Sequence, residues 1–383
     1  MTSILFIFWI SVFLLVYTYA GYPLLIWLWG IVLPRRGRAQ PRSAPMVSLL
    51  VVAYNEAKDI RQRLENFLDL DYLWDRVEII VVSDGSTDGT AAIARAYQSC
   101  FVRVIEFKER RGKSAVLNDV IPSAKGEIVV LTDTRQRLET NALRQLVDDF
   151  ADPTVGAVGG ELILLNSSKP SEIGGGADAY WRYEKLIRRH ESRVDSTIGV
   201  SGALYAIRRS LFRPIPASII LDDVLIPMLV VRQGYRVLFE PSARAYDWIT
   251  DTSEKEFIRK LRTIAGNFQL FFLQPWLLNP FTNRLWFQTI SHKVCRLFSP
   301  FLLATTFASN WLLASDAPYH WFLWLQTAFY AAASLGYLVR GAKHRPFLLS
   351  VPYAFCLLNL ATVVALVRLL KGRQQVTWEK TIG

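Results

Sequence analysis

The sequence predicts an α/β domain built on a mostly parallel sheet and carried between membrane-spanning helices, and three observations lead there. Short, continuously apolar strands alternate with helical segments between Val47 and about Pro241. Long uncharged apolar runs stand near both ends of the chain. Polar and acidic residues collect where the strands of the middle region stop. Strands that are apolar throughout are covered on both faces, as in parallel sheets. Ligands of such sheets sit at the carboxyl ends of the strands.

Composition narrows the class further. The 383 residues are 51% hydrophobic and 13% aromatic, with a formal charge of +11. That charge suits a nucleic-acid binder or a protein on an anionic membrane surface. The clustering of apolar residues into long runs favours the membrane and argues against nucleic acid. Cys100, Cys295 and Cys356 are too scattered for a disulfide framework or zinc motif, and four histidines do not suggest a His-based metal centre.

Taken in order, residues 1–45 begin with an uncharged run from Ile4 to Leu33, which reads as a retained transmembrane helix. The basic "PRRGRAQPR" that follows places the next domain in the cytoplasm by the positive-inside rule. Residues 46–250 hold the strands "VSLLVVAY", "VEIIVVSD", "VRVIEF" and "EIVVLTD", with helical spacing after the first at Ile60, Leu64 and Phe67. Residues 251–295 contain "EFIRKLRTIAGNFQLFF", an interfacial amphipathic pattern. Residues 296–371 supply three more apolar stretches, Leu297 to Ala314, Trp321 to Val339 and Phe347 to Leu370, before a basic tail over 372–383. One span before the domain and three after it put both chain ends on the outer side. The basic tail argues otherwise, so one segment is expected to be re-entrant or interfacial.

Candidate site residues stand at strand ends. "IVVLTDTRQR" is a buried strand that stops on Asp133, with Arg135 just beyond. Tyr54, Asn55 and Glu56 follow the first strand, and Asp84 follows the second. Asp84 in "SDGSTDGT" is equally explained as a turn residue. "RRGKSAVLN" is not a phosphate-binding P-loop, because Phe107 stands where that loop needs its first glycine. Lys113, with Arg110 and Arg111, is either a solvated charge or a counter-charge for a diphosphate. Asp222 and Asp223 are either an acidic pair at a helix amino terminus or a catalytic pair.

The ordered series "VSLLVVAYNEAKDI", "VVSDGSTDGT", "GKSAVLND", "LTDTR", "GVSGALYAIRR" and "LDDVLIPMLVVRQGYRV" resembles the catalytic domain of family-2 glycosyltransferases. The flanking apolar runs and "RKLRT" make it similar to the membrane-embedded branch that includes cellulose, chitin, hyaluronan and poly-N-acetylglucosamine synthases. The resemblance runs by motif from Val47 to about Leu270. It implies a GT-A fold and inverting transfer from a nucleotide sugar, UDP-linked by expectation, to a glycan or glycolipid acceptor at the inner face of the cell membrane. By position, Tyr54, Glu56 and Asp84 match residues that hold the base and ribose, and Lys113 matches the lysine near the nucleotide. Asp133 matches the first aspartate of the DxD motif, which binds the sugar diphosphate and a divalent cation, Mg2+ or Mn2+. Ser201 and Gly202 fall in the acceptor-facing segment. Asp223 matches the general base, with Asp222 replacing the glutamate beside it.

Three departures qualify these expectations. Arg135 replaces the second DxD aspartate, and its guanidinium is a substitute counter-charge for phosphate. Ser83 stands where many members carry an aspartate. The QxxRW motif reads Arg259, Lys260, Leu261, Arg262, Thr263, so the arginine remains and the tryptophan that would support the terminal sugar does not. Arg259 and Arg262 are expected to face the acceptor and the diphosphate, or lipid headgroups. Single-sugar transfer to a lipid-linked acceptor and a non-catalytic sugar-nucleotide-binding scaffold are the alternatives.

Overall fold

The computed structural model describes residues 1–33, 44–166, 175–249, 253–339 and 346–372. The linker "PRRGRAQPR", the connection "RGAKHR" and all but the first residues of the basic tail lie outside them. The chain divides into two compact units. One comprises Leu33–Leu165 and Glu191–Ile249; the other comprises Met1–Val32 with the described residues of Asn166–His190 and Thr250–Gln374. The domain expected over 46–250 thus lends most of one helix to the apolar unit.

The first elements of the chain are α1 (Thr2–Val16), a π-turn (Tyr17–Gly21) and α2 (Tyr22–Val32). There follow β1 (Val47–Ala53), α3 (Ile60–Leu68), β2 (Val77–Asp84), α4 (Thr90–Arg95), β3 (Val102–Phe107), α5 (Lys113–Val120) and β4 (Ile128–Thr132). Next come β5 (Arg137–Leu138), α6 (Ala142–Asp148), β6 (Val155–Asn166), α7 (Gly175–Val194), β7 (Tyr205–Arg208), α8 (Asp222–Arg232) and β8 (Arg236–Ile249). The remainder is helical: α9 (Ser253–Leu273), the short α10 (Trp286–Gln288), a second π-turn (Thr289–Val294), α11 (Cys295–Leu312), α12 (Ala317–Leu338) and α13 (Phe347–Leu370).

The α/β unit carries one eight-stranded sheet in the order β3-β2-β1-β4-β7-β6-β8-β5. β1 pairs in parallel with β2 and β4, and β2 with β3. Beyond β4 the pairing turns antiparallel, at β4–β7, β6–β7 and β5–β8. The sheet is therefore mixed rather than mostly parallel. Within the parallel half, β1 is buried almost throughout and β2 and β4 at every position, while the outer strand β3 is mostly half-buried. Val47, Leu49, Val51, Ile79, Val81, Ile128 and Val130 pack with Ile60, Leu64 and Phe67 of α3 and with Leu143 and Leu146 of α6. Each such side chain contributes about 1.5–3 kcal/mol by leaving water. The i, i+4, i+7 spacing in α3 is the helical stripe expected from the sequence. Because β1, β2 and β4 run in parallel, Tyr54, Asp84 and Asp133 emerge at one edge.

In the apolar unit, the π-turn joins α1 and α2 into one run, Thr2–Val32, which together with α13 is long and apolar enough to cross a membrane. Among the described residues these are the two that qualify. α11 and α12 form where apolar stretches were expected, but polar residues such as Thr305, Ser309, Asn310, His320 and Gln326 dilute them. Bulky side chains on these helices stand exposed, including Phe6, Trp311, Trp321, Leu325 and Leu348. Leu261 and Ala265 of α9 pack against Ala361 and Ala365 of α13, small residues that allow close approach. Contacts also join polar groups inside this unit. Glu184 of α7 meets His292 at 3.2 Å and also Arg296. The Tyr17 and Ser291 hydroxyls lie 2.6 Å apart, joining the two π-turns.

Candidate active site

The chain leaves β1 through Asn55, the one non-glycine residue with positive φ (+54°) among those described, a conformation asparagine tolerates. Its side-chain carbonyl accepts the Thr87 N–H (2.8 Å), and its own N–H donates to Ser86 Oγ (3.1 Å). The Glu56 N–H donates to Thr90 Oγ1 (2.8 Å) and the Ala57 N–H to Asp88 Oδ2 (3.0 Å). The "YNE" and "SDGSTDGT" motifs therefore build one interlocked rim. Partial burial works to raise the Asp88 carboxyl, but its bonds from Thr90 and Ala57 prevail and hold it below the usual carboxylate range.

Asp84 is 3% exposed, and its two oxygens accept the backbone N–H groups of Arg111 (2.7 Å) and Gly112 (2.8 Å). In this state it clamps the loop that opens α5. Gly85 permits that approach, since a Cβ there would come within 2.5 Å of the Arg110 nitrogen. The three basic residues of this loop separate. The Arg110 guanidinium stacks on the Tyr54 ring at 3.8 Å. Arg111 pairs with Asp119 and lies over Phe107. Lys113 reaches Asp133 Oδ1 at 3.1 Å and Asp222 Oδ2 at 3.3 Å. Burial opposes its charge, but Asp133, Asp222 and Asp223 outweigh it and hold the ammonium above the ordinary lysine range.

Two buried devices fix these groups. Arg63 of α3, 1% exposed, donates to the Asp133 carbonyl (2.8 Å), the Thr134 carbonyl (3.1 Å) and Asn66 Oδ1 (3.3 Å). Burial lowers its pKa to about 10, against the pull of Asp133 and Asp247. It thereby pins the turn that aims the Asp133 side chain. Asn118 of α5 exchanges two bonds with Ile215 (2.7 and 2.9 Å), and Ser114 Oγ donates to the Ile219 carbonyl (3.1 Å). These tie α5 to the segment that leads into α8, and so Lys113 to the acids it serves.

α8 begins on Asp222 and Asp223, where the helix dipole favours their charge. The Gly202 N–H donates to Asp223 Oδ2 (3.1 Å), and Thr132 Oγ1 donates to the Ala203 carbonyl (2.7 Å). Ser201 stays at this turn through its carbonyl, which accepts the Leu204 N–H (3.2 Å). A Cβ on Gly202 would lie 3.4 Å from Asp223 Oδ2 and 3.7 Å from Asp133 Oδ2. The open side of Gly202 thus faces both carboxylates.

The structure therefore brings together Lys113, Asp133, Ser201, Gly202, Asp222 and Asp223, with Asp84 and the Tyr54–Glu56 rim on the same sheet edge. Arg135 is exposed one turn beyond Asp133. Arg259 and Arg262 stand on α9 in the apolar unit. Arg63, Asn118 and Tyr205 were not singled out from the sequence. Arg63 in "IRQRLENF" looks like a solvated helix position, because its partners are backbone carbonyls that no motif encodes.

A mixed sheet whose parallel half presents acidic strand ends to a helix-borne acid pair is the arrangement of the GT-A fold. Residues 48–214 match the family model "Glycosyl transferase family 2". The chain is 26% identical over 232 residues to the poly-β-1,6-N-acetyl-D-glucosamine synthase of Staphylococcus aureus, covering 58% of this chain and 55% of that protein. It is 24% identical over 237 residues to the synthase of Staphylococcus epidermidis, covering 60% and 56%. The chain thus spans about half the length of the curated relatives it matches. Its fold is similar to that of a mannosyltransferase from Pyrobaculum calidifontis solved with GDP-Man and Mn2+, with a TM-score of 0.72, 24% identity and coverage of 96% of this chain and 99% of that one.

Proposed function

We propose that this protein is a membrane-bound, inverting glycosyltransferase that moves a sugar, an N-acetylhexosamine, from a UDP-linked donor to a growing β-linked glycan. The observation that carries the reading is Lys113 held among Asp133, Asp222 and Asp223 beside the open face of Gly202. The similarity to poly-β-1,6-N-acetyl-D-glucosamine synthases supports the donor class.

In this reading Asp223 accepts the proton of the acceptor hydroxyl as it attacks the anomeric carbon, because a sugar hydroxyl is too weak a nucleophile unaided. The Gly202 N–H orients that carboxylate. Lys113 meets the diphosphate, and Tyr54 with Arg110 forms an aromatic–guanidinium wall suited to a nucleobase. No cage of three or more His, Cys, Asp or Glu side chains forms among the described residues. Asp133 is the carboxylate that would hold a divalent cation beside the donor's phosphates, oxygen ligands that such a hard cation favours. When bound, Mg2+ or Mn2+ neutralises charge on the leaving diphosphate. Arg135 adds a counter-charge in place of a second DxD carboxylate.

Thr263, standing where related synthases place a tryptophan, favours a second reading in which one sugar is added to a lipid-linked acceptor. Sizing the product made from radiolabelled UDP-N-acetylglucosamine separates the two: a ladder supports the polymerase, a single discrete product the alternative. Asp223→Asn tests both. Turnover should fall about 100-fold or more while UDP binding persists, and turnover near that of wild type removes Asp223 from the role.

We place the catalytic domain on the cytoplasmic side of the cell membrane. Cys100 is an exposed native thiol of that domain, so a membrane-impermeant maleimide should label it in inverted vesicles and spare it in intact cells. Labelling of Cys100 in intact cells reverses the assignment.

A further inference from the structure

Tyr205 of β7 pairs with Leu131 of β4, two residues before Asp133. Its side chain is wholly buried, and its hydroxyl has no hydrogen-bond partner. A buried hydroxyl left in that state costs free energy, and such atoms in native folds call for an explanation. Its charged neighbours are Asp222, Asp223 and Asp133, with Lys113 reaching into the same cluster from α5. Burial and these carboxylates together push its pKa far above the usual tyrosine value, so the group stays a neutral phenol with a proton to donate. Asp222 Oδ2 is the complementary case. It too is buried and accepts no hydrogen bond, and it is held by the Lys113 ammonium as an ion pair at 3.3 Å. One cluster thus contains a donor lacking an acceptor and an acceptor lacking a donor.

We propose that Tyr205 is a positioning residue that becomes the hydrogen-bond donor to Asp222 when Lys113 turns from Asp222 toward a bound diphosphate. The inference rests on the reading of this site as a diphosphate site. An ammonium drawn to phosphate leaves a buried carboxylate that needs another donor. A neutral phenol supplies one without returning positive charge to the base beside it, so Asp223 keeps its neighbour fixed through the transfer.

The test uses the full chain in detergent and a double-mutant cycle between Tyr205→Phe and Lys113→Met, read by thermal melting without ligand. Tyr205→Phe alone should leave the melting temperature unchanged or raise it, since it deletes an unpaired hydroxyl. In the Lys113→Met background, where Asp222 has already lost its cation, the same change should lower melting by roughly 3 °C or more. Calorimetric titration with UDP and Mn2+ should show affinity about 10-fold weaker in Tyr205→Phe than in wild type. Equal effects on melting in both backgrounds overturn the assignment, as does unchanged UDP affinity. Failure of wild type to bind UDP with Mn2+ overturns the function reading instead, and the ligand-free cycle then judges Tyr205 by itself.

Discussion

Replacing Gly202 by alanine places a methyl group on the open side of the acid cluster. The added carbon would lie 3.4 Å from Asp223 Oδ2 and 3.7 Å from Asp133 Oδ2, both ordinary van der Waals distances. The Gly202 N–H that donates to Asp223 is retained. The fold should therefore accept the change within about 1 kcal/mol. The chemistry should not, because an acceptor hydroxyl bonded to Asp223 Oδ2 lies about 2.7 Å from it. A methyl at 3.4 Å from that oxygen blocks approach from the Gly202 side. A displacement of about 1 Å in a reacting group costs on the order of 100-fold, so turnover should fall by about that factor. Melting by calorimetry and turnover of UDP-N-acetylglucosamine are measured on the same preparation. Turnover within twofold of wild type would refute the claim that acceptor and donor meet at this face. A large drop in melting temperature would refute the claim that the face is empty space.

Arg63→Met should destabilise the α/β unit by about 3 kcal/mol or more, because two backbone carbonyls and Asn66 Oδ1 lose a buried charged donor; urea unfolding measures it. Asp88 has a depressed pKa, so its contribution is present above the unfolded carboxyl value near 3.9 and is lost as pH falls through the folded value. Between about pH 4 and pH 2, wild type should lose melting temperature more steeply than Asp88→Asn, and parallel curves would remove Asp88 from this role. Arg135→Asp should make turnover more steeply dependent on Mn2+ by restoring a second carboxylate, whereas superimposable metal titrations would show that Arg135 takes no part in charge compensation.

In the parallel half, β1, β2 and β4 were legible because they are buried almost throughout and carry long apolar runs. α3 was legible from Ile60, Leu64 and Phe67, and the start of α8 from its acidic pair. The antiparallel half was not. β5 is two residues long, and β6 and β8 mix glycine, arginine and apolar residues without a clean period. Of the site, the strand-end residues declare themselves through the order of their motifs. What could not be read is how they are held. Asp84 spends its carboxylate on backbone amides, Arg63 reaches carbonyls about 70 residues away in sequence, and Tyr205 stands in "GALYAIRR" as an ordinary strand aromatic. Each depends on backbone groups or long-range neighbours that the local sequence does not encode. Of the four apolar stretches counted as spans, two became helices too rich in polar residues to qualify on hydropathy.

The π-turn at Tyr17–Gly21 has a bearing on how the amino-terminal helix tolerates change. A π-turn inserts a residue into an α-helical path, and each residue of an α-helix advances the azimuth by about 100°. Removing a single residue from this turn would restore a regular helix and swing α2 by about that angle. Tyr22, Ile26 and Gly30, all buried, would then face outward. Gly30 would leave His190, whose Nδ1 sits 2.8 Å from where a Cβ would stand. The turn therefore serves as a phase corrector between two halves of one rod, and the length of the segment between Phe8 and Tyr22 is fixed more strictly than its composition.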